Sequence, residues 1–147
     1  MTDEPAQEQV LARIFISHSS KDLDSLELFT LGGANDLRGF GPGEARGDEG
    51  GLTSFELGYD PASGVRIAPF YDWGRICRVE HPFIVETVPN TYSLQDAGLS
   101  LSATYRRFSA NAVYAHQIGS NPGLFNGLDS DGLSRGYRAW FVLSYRL

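Results

Sequence analysis

Apolar and polar residues alternate along most of this chain, and few windows show the three-and-four spacing of an amphipathic helix. The clearest stretch is YRAWFVLSYRL, residues 137–147. Its odd positions, Tyr137, Ala139, Phe141, Leu143, Tyr145 and Leu147, are all apolar or aromatic. Its even positions mix Arg138, Trp140, Val142, Ser144 and Arg146. Residues 65–75 behave alike, with Val65, Ile67, Pro69, Tyr71 and Trp73 on one face and Arg66, Phe70, Asp72 and Gly74 on the other. In 93–105, Leu99, Leu101, Ala103 and Tyr105 oppose Ser100, Ser102 and Thr104. The alternation is weaker in 10–17, 51–59 and 108–118. Turn-forming residues separate these stretches at 60–64, 106–107 and in the Gly/Asn/Asp-rich 119–136. The pattern predicts an all-β chain, an antiparallel meander of six strands near 10–17, 51–60, 65–77, 92–106, 108–118 and 136–147.

Two architectures accommodate such strands. A soluble sandwich buries one face of each strand against a second sheet. A transmembrane barrel turns that face to lipid, with strands of ~9–11 residues, short turns at one end and long loops at the other. Short connections at 60–64 and 106–107 alternate here with long ones at 18–50, 77–91 and 119–136. Tyr59, Tyr71, Trp73, Tyr105, Tyr137 and Tyr145 fall near strand ends, where an interfacial girdle places them; in a sandwich the same rings fill the core. Six strands are too few to close around a pore, so the sheet is expected open, with 10–17 and 136–147 as its edges.

Composition narrows the function. The chain has 147 residues, with 12 Lys+Arg against 18 Asp+Glu and a net charge of −6, which argues against a nucleic-acid partner. Its single cysteine, Cys77, excludes an intrachain disulfide framework. No apolar run approaches the ~18 residues of a spanning helix. The polar tail 1–9, MTDEPAQEQ, lacks the basic and apolar regions of a secretory signal. His18, His81 and His116 have no metal-ligand spacing. Cys77 with His81 has no orienting third group, and both are expected in an exposed loop. The run from Gly41-Pro42-Gly43 to Gly51 lacks the Gly-Lys-Ser/Thr ending of a phosphate loop and reads as flexible surface. No enzyme, cofactor or metal is expected.

Two resemblances compete. IFISHSSKD, residues 14–22, resembles the opening of a TIR domain, which implies an α/β module that binds partners or cleaves NAD; such a domain next requires alternating strands and helices. The longer likeness begins at Leu23-Asp24-Ser25 and runs through Glu27, Phe29, Leu31-Gly32-Gly33 and Leu37-Arg38-Gly39-Phe40. Phe70-Tyr71-Asp72-Trp73-Gly74 follows in order. Together they resemble the sixth extracellular loop and a later barrel strand of two-partner secretion transporters, the outer-membrane proteins of haemolysin activation and secretion. The likeness covers about Ser20 to Leu147. Leu37 stands where the family has Val, and Leu147 where it commonly ends in Phe.

The resemblance implies a sixteen-stranded barrel preceded by a signal peptide and two POTRA domains, in the outer membrane of a Gram-negative bacterium. This chain matches its last six strands and reads as a C-terminal barrel portion, 10–147, with a pore-folding loop at 18–50, a truncated fragment expected to transport nothing on its own. The implied partners are a secreted haemolysin or adhesin docking through POTRA domains, outer-membrane lipid, and the barrel-assembly machinery, which would read Tyr145 and Leu147 as its insertion signal. A barrel-assembly insertase of the same superfamily is the alternative within the likeness. Leu37, Arg38, Gly39 and Phe40 form the implied pore-loop motif; Phe70, Asp72 and Gly74 form the barrel-wall motif. Because the alternation puts Asp72 on the polar, lumen face, Arg38 is expected to fold back onto it, with Glu56 as a second acceptor.

Overall fold

The computed structural model describes residues 8–17, 28–78 and 89–147. No helix occurs among them. Six long strands, β1 (Glu8–Ser17), β4 (Glu49–Ala62), β5 (Val65–Cys77), β6 (Thr91–Tyr105), β7 (Phe108–Ile118) and β8 (Tyr137–Tyr145), form one antiparallel sheet. Their spatial order, β1-β4-β5-β6-β7-β8, follows the chain, so the sheet is a meander with β1 and β8 at its edges. The α/β alternation that a TIR module requires is absent from these elements.

The tight connections follow their turn residues. Ser63-Gly64 closes β4 onto β5, and a register irregularity between Tyr59 and Ala62 accommodates Pro61 near the turn. Arg106-Arg107 closes β6 onto β7 with Arg106 at φ +53°, the left-handed region that hairpin turns demand.

Two expectations are corrected. The stretch expected as uninterrupted loop over 18–50 contains β2 (Phe29–Leu31) and β3 (Ala45–Gly47), which pair antiparallel as a small second sheet. Its residues 18–27 lie outside the described ones. Glu8 and Gln9, expected in the polar tail, begin β1, and residues 1–7 lie outside the described ones.

The sheet has two unlike faces. On the inner face Leu31, Leu37, Phe40, Ala45, Leu52, Ile76 and Leu94 form one buried cluster, with Phe29 and Tyr92 against it. Phe70, Val113 and Ala115 form a second, packed by Trp140. On the outer face Phe55, Leu57, Tyr59, Leu99, Leu101, Tyr105, Phe108, Tyr114, Phe141 and Leu143 are exposed, Phe141 by 70%. Val65, Ile67, Tyr71 and Trp73 lie on that same face but are half-buried by their neighbours.

The outer face is also graded along the strands. Tyr105, Phe108 and Tyr145 are successive partners in register at one end, with the Phe108 and Tyr145 rings 4.9 Å apart. Tyr71, Trp73, Tyr114 and Tyr137 gather towards the other, where Tyr114 and Tyr137 stack at 5.9 Å. Leu57, Ile67, Leu99, Leu101, Ala112 and Phe141 fill the interval. Trp73 is level with Gln95, ten residues before Tyr105 on β6. At ~3.3 Å per residue, the two aromatic ends stand about 33 Å apart along the strand.

So many large apolar side chains exposed on one face make a surface of the kind that marks contact with a partner or a membrane. In plain buffer the chain should therefore aggregate, and in detergent micelles it should run as a single species. Size-exclusion chromatography with light scattering distinguishes the two; a monodisperse detergent-free monomer would contradict the reading of this face.

Candidate functional site

Antiparallel register arranges the inner-face side chains in rows across the sheet. One row is Ser54 on β4, Asp72 on β5, Asp96 on β6 and Gln117 on β7. The next is Glu56, Phe70, Gly98, Ala115 and Arg138, from β4 to β8. A third holds Ala68, Ser100, Val113 and Trp140. Beyond the first row, towards the rim, Leu52, Gly74 and Leu94 are partners. The polar rows thus lie directly below an apolar rim.

Residues 32–44 fold into this face between β2 and β3. Leu37 and Phe40 enter the apolar cluster at the rim, fully buried. Between them Arg38 points down onto the polar rows. Its Nε donates to Asp72 Oδ2 at 2.8 Å and its Nη2 to Asp72 Oδ1 at 2.9 Å, a fork-on-fork pair. Nη1 donates to Glu56 Oε2 at 2.8 Å, and Nη2 reaches Ser54 Oγ at 3.2 Å. Ser54 in turn donates to Asp72 Oδ1 at 2.5 Å. The Phe70 ring lies beneath the guanidinium, 3.3 Å from Cζ to the centroid. Burial on its own lowers the Arg38 pKa, but the hydrogen bonds and charges of Asp72 and Glu56 outweigh it, so the net direction is up and the side chain stays cationic.

Each wall-motif residue has a distinct part in this contact. Phe70 is the platform and Asp72 the bidentate acceptor. Gly74 makes room for the loop: a Cβ there would stand 2.9 Å from both Leu31 Cδ1 and Leu37 Cδ1. Gly39 packs directly on β6, where a Cβ would lie 2.7 Å from Asp96 Cβ. Asp96 itself is fully buried, opposite Asp72, and neither of its carboxylate oxygens has a hydrogen-bond partner among the described residues.

Other expected residues lie elsewhere. Tyr145 ends β8 against Phe108 at the far end of the sheet, and Leu147 is fully exposed beyond that strand. Cys77, expected in an exposed loop, is the half-buried last residue of β5 and accepts a long contact from Asn90 Nδ2 at 3.6 Å. His116 is exposed on β7, with Nδ1 2.7 Å from the Gln117 carbonyl oxygen; His18 and His81 lie outside the described residues. No cluster of metal-ligating side chains occurs among the described residues. The segment expected as flexible surface from Gly41 onwards is instead largely inside, with Gly41, Glu44, Ala45, Gly47 and Asp48 buried.

Several contacts escaped the sequence. Trp140 Nε1 on β8 donates to the Arg38 carbonyl at 2.7 Å, and Gln117 Nε2 on β7 donates to the Gly39 carbonyl at 3.0 Å. Arg138 Nη2 is bonded to Asp129 Oδ2 at 2.5 Å and Asp131 Oδ1 at 3.0 Å. The even positions of β8 showed only that Arg138 and Trp140 share a face; nothing in their spacing named partners as much as 102 residues away.

No protein-family model, curated protein or solved structure matches this chain.

The Arg38 contact should dominate the loop's stability. Replacing Arg38 by Ala strands two carboxylates and should cost about 3–5 kcal/mol. Arg38→Lys keeps the charge but cannot fork onto Asp72 while reaching Glu56, so it should fall between Ala and the parent. Urea unfolding in micelles, followed by Trp140 fluorescence in a Trp73→Phe background, measures both; a Lys variant equal to the parent would show that charge alone suffices.

Proposed function

We propose that this chain forms the wall and inward-folded loop of an outer-membrane β-barrel that passes a secreted partner protein across the membrane, as in two-partner secretion. The observation that carries the reading is the Leu-Arg-Gly-Phe loop held on the Phe-x-Asp-x-Gly strand by the forked Arg38–Asp72 pair. A surface loop gains nothing from burying a guanidinium, whereas a loop that must remain inside a wall during insertion and be mobilised by cargo needs a strong polar attachment.

Three further features support it. The charged and polar strand residues Ser54, Glu56, Asp72, Asp96, Gln117 and Arg138 all lie on the inner face, among its apolar clusters, and an apolar belt bounded by aromatic rows covers the outer one, a division that fits a lipid-embedded barrel. The long connections 32–44 and 119–136 emerge at the same end of the sheet, and the tight turns at the other. A space of about 390 Å³ lies below the loop, lined by polar groups of Arg38, Ser54, Glu56 and Asn111 together with apolar Val113 and Trp140, and so offers an extended polypeptide both hydrogen-bonding groups and apolar contact.

In this reading Arg38, Asp72 and Glu56 have a gating role and do no covalent chemistry. Leu37 and Phe40 seat the loop at the rim, and Gly39 and Gly74 permit the close approach. The C-terminal Tyr145 and Leu147 would be read by the barrel-assembly machinery, and the exported protein would be recognised by POTRA domains.

In producing cells the protein should sediment with outer membranes and resist extraction by urea and carbonate. In a full-length transporter that carries this segment in a closed barrel, Arg38→Ala should leave the inserted amount nearly unchanged but lower release of the exported partner by about tenfold or more, because a strong buried pair is broken. Recovery of the protein in the soluble fraction, or unchanged export by Arg38→Ala, would refute the proposal.

A further inference from the structure

The Gly/Asn/Asp-rich segment 119–136 is one of the long connections expected from the sequence. Its base turns inward. Gln117 N donates to the Gly136 carbonyl at 2.8 Å and closes the neck of the excursion. Within it Asp129 N donates to the Leu133 carbonyl at 2.9 Å, which presents the Asp129 carboxylate to the sheet. There it is held by Arg138 of β8 and accepts from Gln117 Nε2 at 3.2 Å and Asn121 Nδ2 at 3.4 Å. Asp129 and Arg138 are both buried, so this excursion is anchored by a built ionic contact.

The anchored excursion grips the other loop at a second point. Glu44 lies six residues beyond Arg38 and is buried. Its Oε1 accepts from Asn121 Nδ2 at 2.6 Å, and its Oε2 accepts from the Ser130 backbone N–H at 2.7 Å. Ser130 Oγ donates to the Pro42 carbonyl at 3.3 Å, and a Cβ on Gly41 would stand 3.1 Å from that same oxygen. Both Glu44 oxygens are thus engaged by one excursion, which approaches the loop from β7 and β8. The Arg38 side chain is engaged from β4 and β5. The two attachments share no side chain.

We propose that residues 119–136 form a strap that retains the inward loop through Glu44, so that the loop leaves the interior only when both the Glu44 and the Arg38 attachments are released. The inference rests on reading this loop as the movable element of a transport wall. Without the strap the loop is held at residues 38 and 39, by β4 and β5 through the Arg38 side chain and by β8 and β7 through the Arg38 and Gly39 carbonyls. Glu44 adds a separate attachment further along the loop. Opening then requires either cargo that competes at both points or a shift of β8 relative to β5 that strains both. The strap also carries the specificity of release: the Glu44 carboxylate is bound by neutral donors, the Asn121 amide and a backbone N–H, which an extended polypeptide offers in abundance. The Arg38 fork, bound by charged acceptors, requires an acidic competitor.

Hydrogen–deuterium exchange of the full chain in detergent micelles, resolved by peptide mass spectrometry, tests the strap without any transport step. Failure of the transport reading would appear in membrane fractionation and export, and failure of the strap only here. Glu44→Gln removes the charge at nearly constant shape, and Asn121→Asp sets a second carboxylate against Glu44 from the partner side. Both should accelerate exchange across 42–47 and 129–131 by about tenfold or more while 34–39 and the strands β5–β7 stay protected. Arg38→Ala should do the reverse, and only Arg38→Ala combined with either strap variant should release 32–48 as a unit. Wild-type protection of 42–47 in both Glu44→Gln and Asn121→Asp would overturn the proposal. So would release of the whole loop by Arg38→Ala alone, because a single attachment would then account for its position.

Discussion

One guanidinium, that of Arg38, organises the interior of this sheet. Its planar fork meets Asp72 with two parallel hydrogen bonds, its remaining amino group reaches Glu56, and its own carbonyl accepts from Trp140. A single residue thereby joins the neighbouring β4 and β5 to β8, which β6 and β7 separate from them in the sheet. Ion pairs on surfaces contribute little because water competes for both partners. Here the Asp72 side chain is completely shielded and Arg38 nearly so, and the Phe70 ring covers the face that solvent would otherwise approach. Loss of either partner leaves a charge where nothing replaces its hydration, which makes the pair a constraint on the fold as much as a contribution to it.

The apolar rim and the polar rows beneath it depend on one another. Leu31, Leu37 and Phe40 pack against Leu52, Ile76 and Leu94, and this packing brings the backbone at residue 38 close enough for its side chain to descend. The close approach is possible because position 74 has no side chain to meet Leu31 and Leu37. The rim in turn keeps water from Asp72. Hydrophobic burial positions the ion pair, and the ion pair holds an otherwise polar, glycine-rich segment in an interior it has little apolar surface to justify.

The long strands were legible because a two-sided sheet writes its faces into the sequence at every second residue. Residues 65–77 and 108–118 have the expected limits, and β8 is shorter only at its ends. The Arg38–Asp72 contact was also legible, through the parity that put Asp72 on the same face as Arg66 and Gly74 and through the paired motifs. Phe29–Leu31 and Ala45–Gly47 were not, since three residues carry no periodicity and their pairing is set by the fold of the loop between them. The inward turn of 119–136 was equally silent: its determinants, Glu44 with Asn121 and with Ser130, are 77 and 86 positions apart, in segments whose composition reads as ordinary loop. Asp96 illustrates the remaining limit. Parity placed it opposite its apolar neighbours, but its solvent exclusion comes from Gly39 arriving overhead, a tertiary event with no local trace.

The rows of inner-face residues have a consequence for assembly. Ser54, Glu56 and Asp72 present one receptor to Arg38 only while β4 and β5 are paired as Ser54 with Asp72 and Glu56 with Phe70. A slip of one residue would send Asp72 outward. A slip of two would keep every face correct, satisfy the backbone ladder and leave the apolar belt continuous, yet it would move Glu56 about 7 Å along the wall relative to Asp72. Hydrophobic patterning cannot detect that second error, but the fork can, because it must find both carboxylates at once. The full set of Arg38 contacts therefore exists only over strands aligned in this frame, so the loop's seat and the strand register specify one another.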